Sequence, residues 1–427
     1  MNDPQLIPIA DGVSLCAVQT DLFKTCKIGV SVALPLPGDI AAAAVLPYIL
    51  RRSCRKYPDM TAMNGHLDML YGATLGASVT KKGDAQILQI AVTAIDDRFA
   101  LSDESITQQA AELLVDMLFD PKLENGTFPS SDVETEKRLL LERMRSEDDE
   151  KRIYACRRCE EVMCENEPFG KNRYGTAETI ESLTPARVYD AWQRVLTRGV
   201  IRVVMVSSGA GETVETLLRE RFAAVRRQPE VMRTQFVPAP TGDIKSVRET
   251  QKLMQGTLVL GFRCGMTSRD DMDPTMLVMN DMFGGGVYSK LFTVVREKMS
   301  LCYYCRSILN RDKGTILIAA GIETDNEQKA KDAILEQLAA MQRGDFTRDV
   351  FDAAMRSLCD SIRGYNDSPD VLYAWYTHQI FRDGVMTPEG RIAQIQAVSF
   401  DDIRQTAQAV KLDTVFMLAG TGAENDA

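Results

Sequence analysis

Apolar and polar residues are spaced along the first half of the chain in a way that predicts alternating strands and helices. Residues 28–34 are apolar at every second position, which is typical of a strand with one buried face. Residues 106–118 are apolar at spacings of three and four, which predicts an amphipathic helix. The other elements predicted in this half are a helix at 41–50, strands at 87–92 and 203–206, and a charged helical region at 132–164, either one long helix or two in series.

The second half repeats this order of elements. The predicted elements are a strand at 258–262, a helix at 275–283, a strand at 315–319, an amphipathic helix at 326–341, a charged helical region at 348–365 and a closing strand at 416–420. Because the order recurs with a period of about half the chain, we predict an α+β fold made by tandem duplication. Three prolines between positions 229 and 240 mark the boundary. We therefore predict an N-terminal half at 1–227, a linker at 228–243 and a C-terminal half at 244–427.

Charge and hydropathy limit the partners to expect. The 427 residues include 50 Lys and Arg against 60 Asp and Glu, and the formal net charge of -10 opposes binding to nucleic acid phosphates. The longest strongly apolar run, 40–50, is too short to span a membrane. Residues 1–4 do not resemble the start of a signal peptide. We expect a cytoplasmic protein with reduced thiols and with no nucleic acid or membrane partner.

The chain has only 2 histidines, His66 and His378. A His-rich metal site therefore cannot be built within the chain, and a Ser–His–Asp or Cys–His enzyme would need one of these two residues. We interpret His66, in a polar helix-like stretch, as a surface residue. His378 follows aromatic residues, and we interpret it as packed and hydrogen-bonded rather than as a catalytic base.

Two CxxC pairs, Cys156 with Cys159 and Cys302 with Cys305, raise the alternative of a four-thiolate zinc site. The first pair lies in a helical stretch without a knuckle-forming glycine. The second pair appears in a strand-like stretch, where residues three apart face opposite sides. The separation between the pairs also far exceeds that of a zinc ribbon, and we interpret all four as structural thiols.

Gly284, Gly285 and Gly286 form a glycine run with two alternative interpretations. Consecutive glycines can cradle an anion. More often they let the backbone turn sharply and approach a neighbour closely. No Lys and Ser or Thr follow as they would in a phosphate loop.

The glycine run is the beginning of a longer motif, residues 283–304, which includes Arg296 and Tyr303. This motif resembles the C-terminal half of the insulinase/pitrilysin-type zinc peptidases. Residues 56–58 and 169–176 fall where landmarks of the family's N-terminal half fall. The resemblance covers nearly the whole chain. It implies two homologous α+β halves, each an antiparallel-rich sheet with helices packed on one face, as in LuxS and the processing peptidases.

Active members of this family carry an inverted zinc motif, H-x-x-E-H, on a helix of the first half. Aligned with that motif, this chain has Ala44, Pro47 and Tyr48. The third zinc ligand, a Glu in the long helix, aligns with Arg143, although Glu142 is one residue away. The resemblance therefore implies that the chain holds no zinc and has no catalytic residues of its own.

What the resemblance implies for the second half is a substrate-binding role for Arg296 and Tyr303. In the family these groups help to bind substrate and stabilise the oxyanion of the tetrahedral intermediate, work that suits a guanidinium and a phenol. The alternative is that Arg296 forms a surface ion pair with Glu297 and that Tyr303 is a strand aromatic. The other residues assigned to substrate binding are Gly284, Gly285 and Gly286.

The chain resembles the zinc-less member of bacterial two-chain pairs, a type linked with modification of translation elongation factor P. We therefore expect a non-catalytic subunit of a heterodimeric zinc peptidase that acts on a peptide or unfolded protein. The zinc would be on the H-x-x-E-H partner, and homodimers are also possible. The alternative is a peptide- or protein-binding scaffold with no role in proteolysis. An independent enzyme built on His378 and the thiols is the least favoured hypothesis.

Overall fold

The structure is a computed structural model that describes residues 4–421. The strands within this range are β1 Gln5–Ala10, β2 Val13–Gln19, β3 Thr25–Pro35, β4 Thr74–Lys82, β5 Ala85–Ile95, β6 Val200–Ser207, β7 Lys245–Gln251, β8 Gly256–Arg263, β9 Tyr304–Asn310, β10 Thr315–Ile322 and β11 Lys411–Gly420. The helices are α1 Ile40–Leu50, α2 Met60–Met69, α3 Ile106–Phe119, α4 Ser130–Asp149, α5 Lys151–Met163, α6 Ala177–Glu181, α7 Pro185–Arg198, α8 Gly211–Ala223, α9 Asp273–Gly284, α10 Glu327–Arg343, α11 Arg348–Arg363, α12 Pro369–Thr377, α13 Pro388–Gln396 and α14 Asp402–Ala409. The charged region 132–164 is thus two helices in series, α4 and α5.

The strand orders confirm the predicted α+β duplication. One sheet has the order β1-β2-β6-β3-β5-β4 and the other β7-β11-β8-β10-β9. Apart from the additional β1, the two orders correspond strand by strand. β2 is parallel to β6, as β7 is to β11, and the remaining neighbours in both sheets are antiparallel. Each half is therefore antiparallel-rich, with one parallel pair in the same place.

The chain divides into two compact units. Unit 1 comprises the described residues of Met1–Met144, with Asn172–Arg233 and Gly364–Thr387. Unit 2 comprises Arg145–Lys171, Thr234–Arg363 and the described residues of Pro388–Ala427. The chain passes from unit 1 to unit 2 after Arg233, within the segment 228–243 that we predicted as a linker. The segments 145–171 and 364–387, however, each join the unit formed mainly by the other half of the sequence.

In unit 1, helices lie on both faces of the sheet. α1, α3 and α7 pack on one face, and α12 contacts β3 and β6. Neighbouring residues of β6 show that α12 is on the opposite face, because Val203 joins the core of the first three helices while Val204 packs with Leu372 of α12. The resemblance implied helices on one face of each sheet, and in unit 1 the structure adds α12 on the other face.

In unit 2, the sheet contacts α9 and α10 through β9 and β8, and α5 through β8 and β11. Ala155, Cys159 and Met163 recur at every fourth position of α5 and are buried against the sheet. Gly261 in β8 makes this packing close, since a Cβ there would lie 3.2 Å from the Cys159 sulfur. Within residues 4–421, no helix combines the length and apolar character that a membrane crossing needs.

Candidate functional site

Arg296 and Tyr303 lie together in unit 2. After α9, a π-helical segment, Leu291–Lys298, carries Arg296 and leads into β9. Leu291 and Val295 are fully buried and hold this segment in place. The Arg296 Nε donates a hydrogen bond to the carbonyl oxygen of Tyr303 at 3.1 Å. Arg296 and Tyr303, which are seven residues apart in the sequence, are therefore in direct contact.

A cavity of about 400 Å³ opens beside these two residues. Its lining consists of Arg296, Glu297, Ser300, Leu301, Cys302, Tyr303, Glu323 and Asn326. The Tyr303 side chain is exposed, at 55%, and precedes β9 rather than lying within it. Tyr303 therefore lies just outside the strand, which differs from the alternative of a strand aromatic. The sequence alone did not indicate that Glu323 lines the cavity. Glu323 follows β10, and the pairing of β10 with β9 brings it there.

The ion pair that we weighed as an alternative for Arg296 is also present. The guanidinium is 3.5 Å from the Glu297 carboxylate, and both side chains are substantially exposed. The same guanidinium lies 4.5 Å from the centre of the Phe292 ring. Because exposed ion pairs contribute at most about 1 kcal/mol, the pair with Glu297 leaves Arg296 able to exchange it for a ligand.

The glycine run lies at the end of α9 and is not part of the cavity lining given above for the described residues. A Cβ on Gly284 would lie 2.7 Å from the Ser307 Cβ and 2.9 Å from its backbone nitrogen. A Cβ on Gly286 would meet the ring of Tyr288 at 2.6 Å. These contacts favour the interpretation as close backbone packing, and substrate binding by Gly284, Gly285 and Gly286 stays a prediction.

The second CxxC pair corrects an inference from the sequence. Cys302 precedes β9, which begins at Tyr304, so Cys302 and Cys305 are not on opposite faces of one strand. Their side chains are hydrogen-bonded to each other, and this bond, together with the charge of Arg296, lowers the pKa of the Cys302 thiol. The hydrogen bond and burial raise the pKa of Cys305. The first pair is different, since burial raises the pKa of Cys156 to about 12.

In unit 1, the positions aligned with zinc ligands hold a cation–π pair. Tyr48, on α1, is buried, and the Arg143 guanidinium on α4 lies 4.0 Å from the centre of its ring. Glu142, the other candidate for the third ligand, is exposed and pairs with Arg138 at 2.8 Å. The structure therefore places Arg143 beside the degenerate motif.

These residues do not fit a zinc ion. Ala44 has no donor atom, and Pro47 has no carboxylate. Burial raises the pKa of Tyr48, whose hydroxyl is hydrogen-bonded to Tyr174, so it is a poor ligand at neutral pH. α1 begins at Ile40 and continues past Pro47. Between residues 4 and 421, no group of three or more His, Cys, Asp or Glu side chains is arranged to hold a metal ion.

Neither histidine lies with these groups. His66 is half-buried, and its ring stacks on Tyr57 with the centroids 4.4 Å apart. Burial and the nearby charge of Lys56 lower the pKa of His66. His378 is the C-cap residue of α12.

Comparisons with known proteins agree with this geometry. The family description "Peptidase M16 inactive domain" matches residues 182–358. A Bacillus subtilis protein named probable inactive metalloprotease YmfF is 28% identical over 411 residues, which cover 96% of each chain. Residues 182–358 are thus similar to the peptidase M16 inactive domain, and nearly the whole chain is similar to a protein named as an inactive metalloprotease.

Proteins named as zinc proteases are similar to this chain at lower identity. An uncharacterized zinc protease from Streptomyces coelicolor is 24% identical over 310 residues, 70% of this chain and 66% of that protein. The fold is shared with a conserved protein from Enterococcus faecalis, whose crystal structure has a TM-score of 0.89 and 24% identity over 100% of both chains.

Proposed function

We propose that the chain is the non-catalytic subunit of a two-chain zinc peptidase. A homologue with an intact H-x-x-E-H motif supplies the zinc ion and the general base, and this chain supplies part of the substrate-binding surface. The observation that carries the proposal is an asymmetry between the units. The zinc positions of unit 1 hold Ala44 and the Arg143–Tyr48 pair, whereas unit 2 keeps Arg296 and Tyr303 together beside a cavity.

The chemistry of the cavity supports this role. Arg296 and Tyr303 are hydrogen-bond donors, and a peptide carbonyl gains negative charge during hydrolysis. Their donors would bind the substrate carbonyl and stabilise the oxyanion that forms on the partner's zinc. The hydrogen bond from Arg296 to the Tyr303 backbone fixes their spacing before substrate arrives. The expected substrate is a peptide or an unfolded protein, in the cytoplasm.

The test is the activity of this chain co-expressed with an H-x-x-E-H homologue. Tyr303→Phe removes one donor and should lower kcat by about 100-fold, and Arg296→Ala by at least as much. Lys298→Ala and Tyr304→Phe are matched controls, because neither side chain lines the cavity. Both controls should retain the activity of the unmodified pair.

The second candidate, a scaffold that binds a peptide or protein without a role in proteolysis, gives a different result. It predicts a stable complex whose peptidase activity is unchanged by Arg296→Ala and by Tyr303→Phe. It also predicts that binding of the partner does not depend on the cavity.

A further inference from the structure

Three arginines surround two tyrosines in unit 1. Besides Arg143, the guanidinium of Arg51 lies 5.8 Å from the centre of the Tyr48 ring. The guanidinium of Arg173 lies 4.5 Å from the centre of the Tyr174 ring. The Tyr48 and Tyr174 side chains are joined by a hydrogen bond. We call these five residues the Arg–Tyr cluster.

The elements of unit 1 hold the Arg–Tyr cluster in place. Arg51 is the C-cap residue of α1, which carries Tyr48. The Gln86 side chain donates a hydrogen bond to the Arg173 carbonyl at 2.6 Å and so anchors the segment with Tyr174. Tyr48 and Tyr174 are both 3% exposed and form a buried floor, over which the half-buried arginines lie. The cluster is therefore pre-organised, and its arginines remain partly exposed to solvent.

Two arginines of the cluster, Arg51 and Arg143, have no acidic partner among the described residues. Among residues 4–421, no carboxylate forms an ion pair with Arg51 or with Arg143. The adjacent Arg52 shows the contrast, because it pairs with Asp132 at 3.2 Å and with Glu136 at 2.9 Å. Two guanidinium groups without an anion are notable in a chain that has 60 acidic residues and a net charge of -10.

The geometry also leaves the donors of Arg143 available. A guanidinium stacked on an aromatic ring uses its flat face, and its N–H groups point outward in the plane. Those N–H groups match the two oxygens of a carboxylate in a bidentate arrangement. Among residues 4–421, no hydrogen bond uses the N–H groups of Arg143, whose guanidinium lies 4.0 Å from the Tyr48 ring centre, so its donors can bind an anion.

We propose that the Arg–Tyr cluster binds a carboxylate group of a peptide ligand, from an Asp or Glu side chain or from the chain terminus. The cluster lies where the resemblance would place the metal ion. The positive charges of Arg51 and Arg143 would attract the carboxylate there. The choice of a peptide rests on the proposed function, whereas the binding of a carboxylate rests on the cluster alone.

Calorimetric titration of the isolated chain tests this proposal without any partner subunit. The probes are acetyl-Ala-Ala-Glu-Ala-Ala-amide, its Gln counterpart, the Gln counterpart with a free C-terminal carboxylate, and inorganic phosphate. At least one carboxylate peptide should bind at least about tenfold more tightly than the neutral Gln peptide, as charge-assisted hydrogen bonds require. The two carboxylate probes distinguish a side-chain from a terminal carboxylate.

The substitutions give the matched comparison. Arg143→Gln and Arg51→Gln should each weaken binding of the preferred peptide by about tenfold. Arg145→Gln removes the same charge from an exposed residue two positions along α4 and should change the affinity by less than about twofold. Circular dichroism verifies that each variant is folded.

The proposal is overturned if no peptide binds saturably at millimolar concentration. It is also overturned if both carboxylate peptides bind no more tightly than the amidated Gln peptide, or if Arg143→Gln binds the preferred peptide with full affinity. Tighter binding of phosphate than of every peptide also overturns the assignment to a carboxylate. Because no partner is present, these failures leave the proposed two-chain peptidase untouched. Loss of activity in the Arg296 and Tyr303 variants tests that function separately.

Discussion

The Arg143 guanidinium lies over the ring of Tyr48, with 4.0 Å between the guanidinium carbon and the ring centre. The two residues occupy positions that align with a zinc-binding Glu and a zinc-binding His. Their contact supports the alignment itself, because ligands of one metal ion must be neighbours in space. The resemblance places a metal ion at this point, and the structure has the Arg143 guanidinium there.

Restoring the four family residues should restore zinc binding. The variant Ala44→His/Pro47→Glu/Tyr48→His/Arg143→Glu places two imidazoles one helical turn apart and a carboxylate opposite them. We expect about one zinc ion per chain by elemental analysis after dialysis. The matched control is the triple variant that retains Arg143, which should bind less zinc because the guanidinium repels the ion. Equal zinc in the triple and quadruple variants would show that Arg143 is not at the ligand position.

Cys302 should be alkylated before Cys156 under native conditions, although Cys156 is the more exposed residue. The reactive species is the thiolate. The hydrogen bond from Cys305 lowers the pKa of Cys302, whereas burial raises the pKa of Cys156 to about 12. Iodoacetamide labelling at pH 7.5, followed by peptide mapping, gives the order. Cys305→Ala should slow the labelling of Cys302, and an unchanged rate would contradict the role of the hydrogen bond.

Gly284→Ala should lower the free energy of unfolding by about 1–3 kcal/mol. The added Cβ would lie 2.9 Å from the Ser307 backbone nitrogen, and strand β9 cannot easily give way. Gly65→Ala is the control, because a Cβ there meets nothing within 4 Å and Gly65 lies inside α2. That substitution should stabilise the protein by about 0.5–1 kcal/mol. Denaturant titration measures both, and equal effects would remove the packing explanation of the glycine run.

Glu167→Gln should destabilise the protein by about 3 kcal/mol, because it breaks a buried charge network. Glu167 accepts from Arg263 at 2.6 Å and forms an ion pair with Lys313 at 2.6 Å, while Arg263 also pairs with Asp413 at 3.0 Å. Glu165→Gln is the control. Its carboxylate is 56% exposed and pairs with Lys245, so the expected loss is at most about 1 kcal/mol.

The same network predicts a pH dependence. Burial works to raise the pKa of Glu167, but the hydrogen bonds from Arg263 and Lys313 outweigh it and hold the pKa below its ordinary value of 4.5. A carboxylate with a depressed pKa in the folded state stabilises the fold above its unfolded pKa, and this contribution is lost as pH falls through the folded pKa. The difference in stability between the wild type and Glu167→Gln should therefore be constant above pH 4.5 and shrink below it. A difference that grows in acid would contradict this assignment.

Local patterns were sufficient to predict much of the fold. Alternation at 28–34 predicted a part of β3, and the recurring order of elements predicted the duplication that the two sheets confirm. The charged region 132–164 left one helix or two open, and the break at Glu150 has no glycine or proline to signal it. The packing of α5 and α12 on sheets from the other half of the sequence depends on contacts between distant residues, which periodicity does not encode.

The candidate site divides in the same way. Arg296 and Tyr303 are seven residues apart, and a motif in the sequence was enough to bring them together. Glu323 reaches their cavity only through strand pairing, and the Arg–Tyr cluster combines three separate segments of unit 1. The error on Cys302 and Cys305 arose from extending β9 by two residues, because the alternation of faces applies only within a strand and Cys302 precedes β9.

The peptidase activity of an H-x-x-E-H homologue, titrated with this chain, is the most direct measurement of the central claim. If this chain completes the partner's active site, activity should rise with each addition and level off at one equivalent. Arg296→Ala should bind the partner equally well but leave the activity low. Full activity of the homologue alone, unchanged by any amount of this chain, would contradict the account.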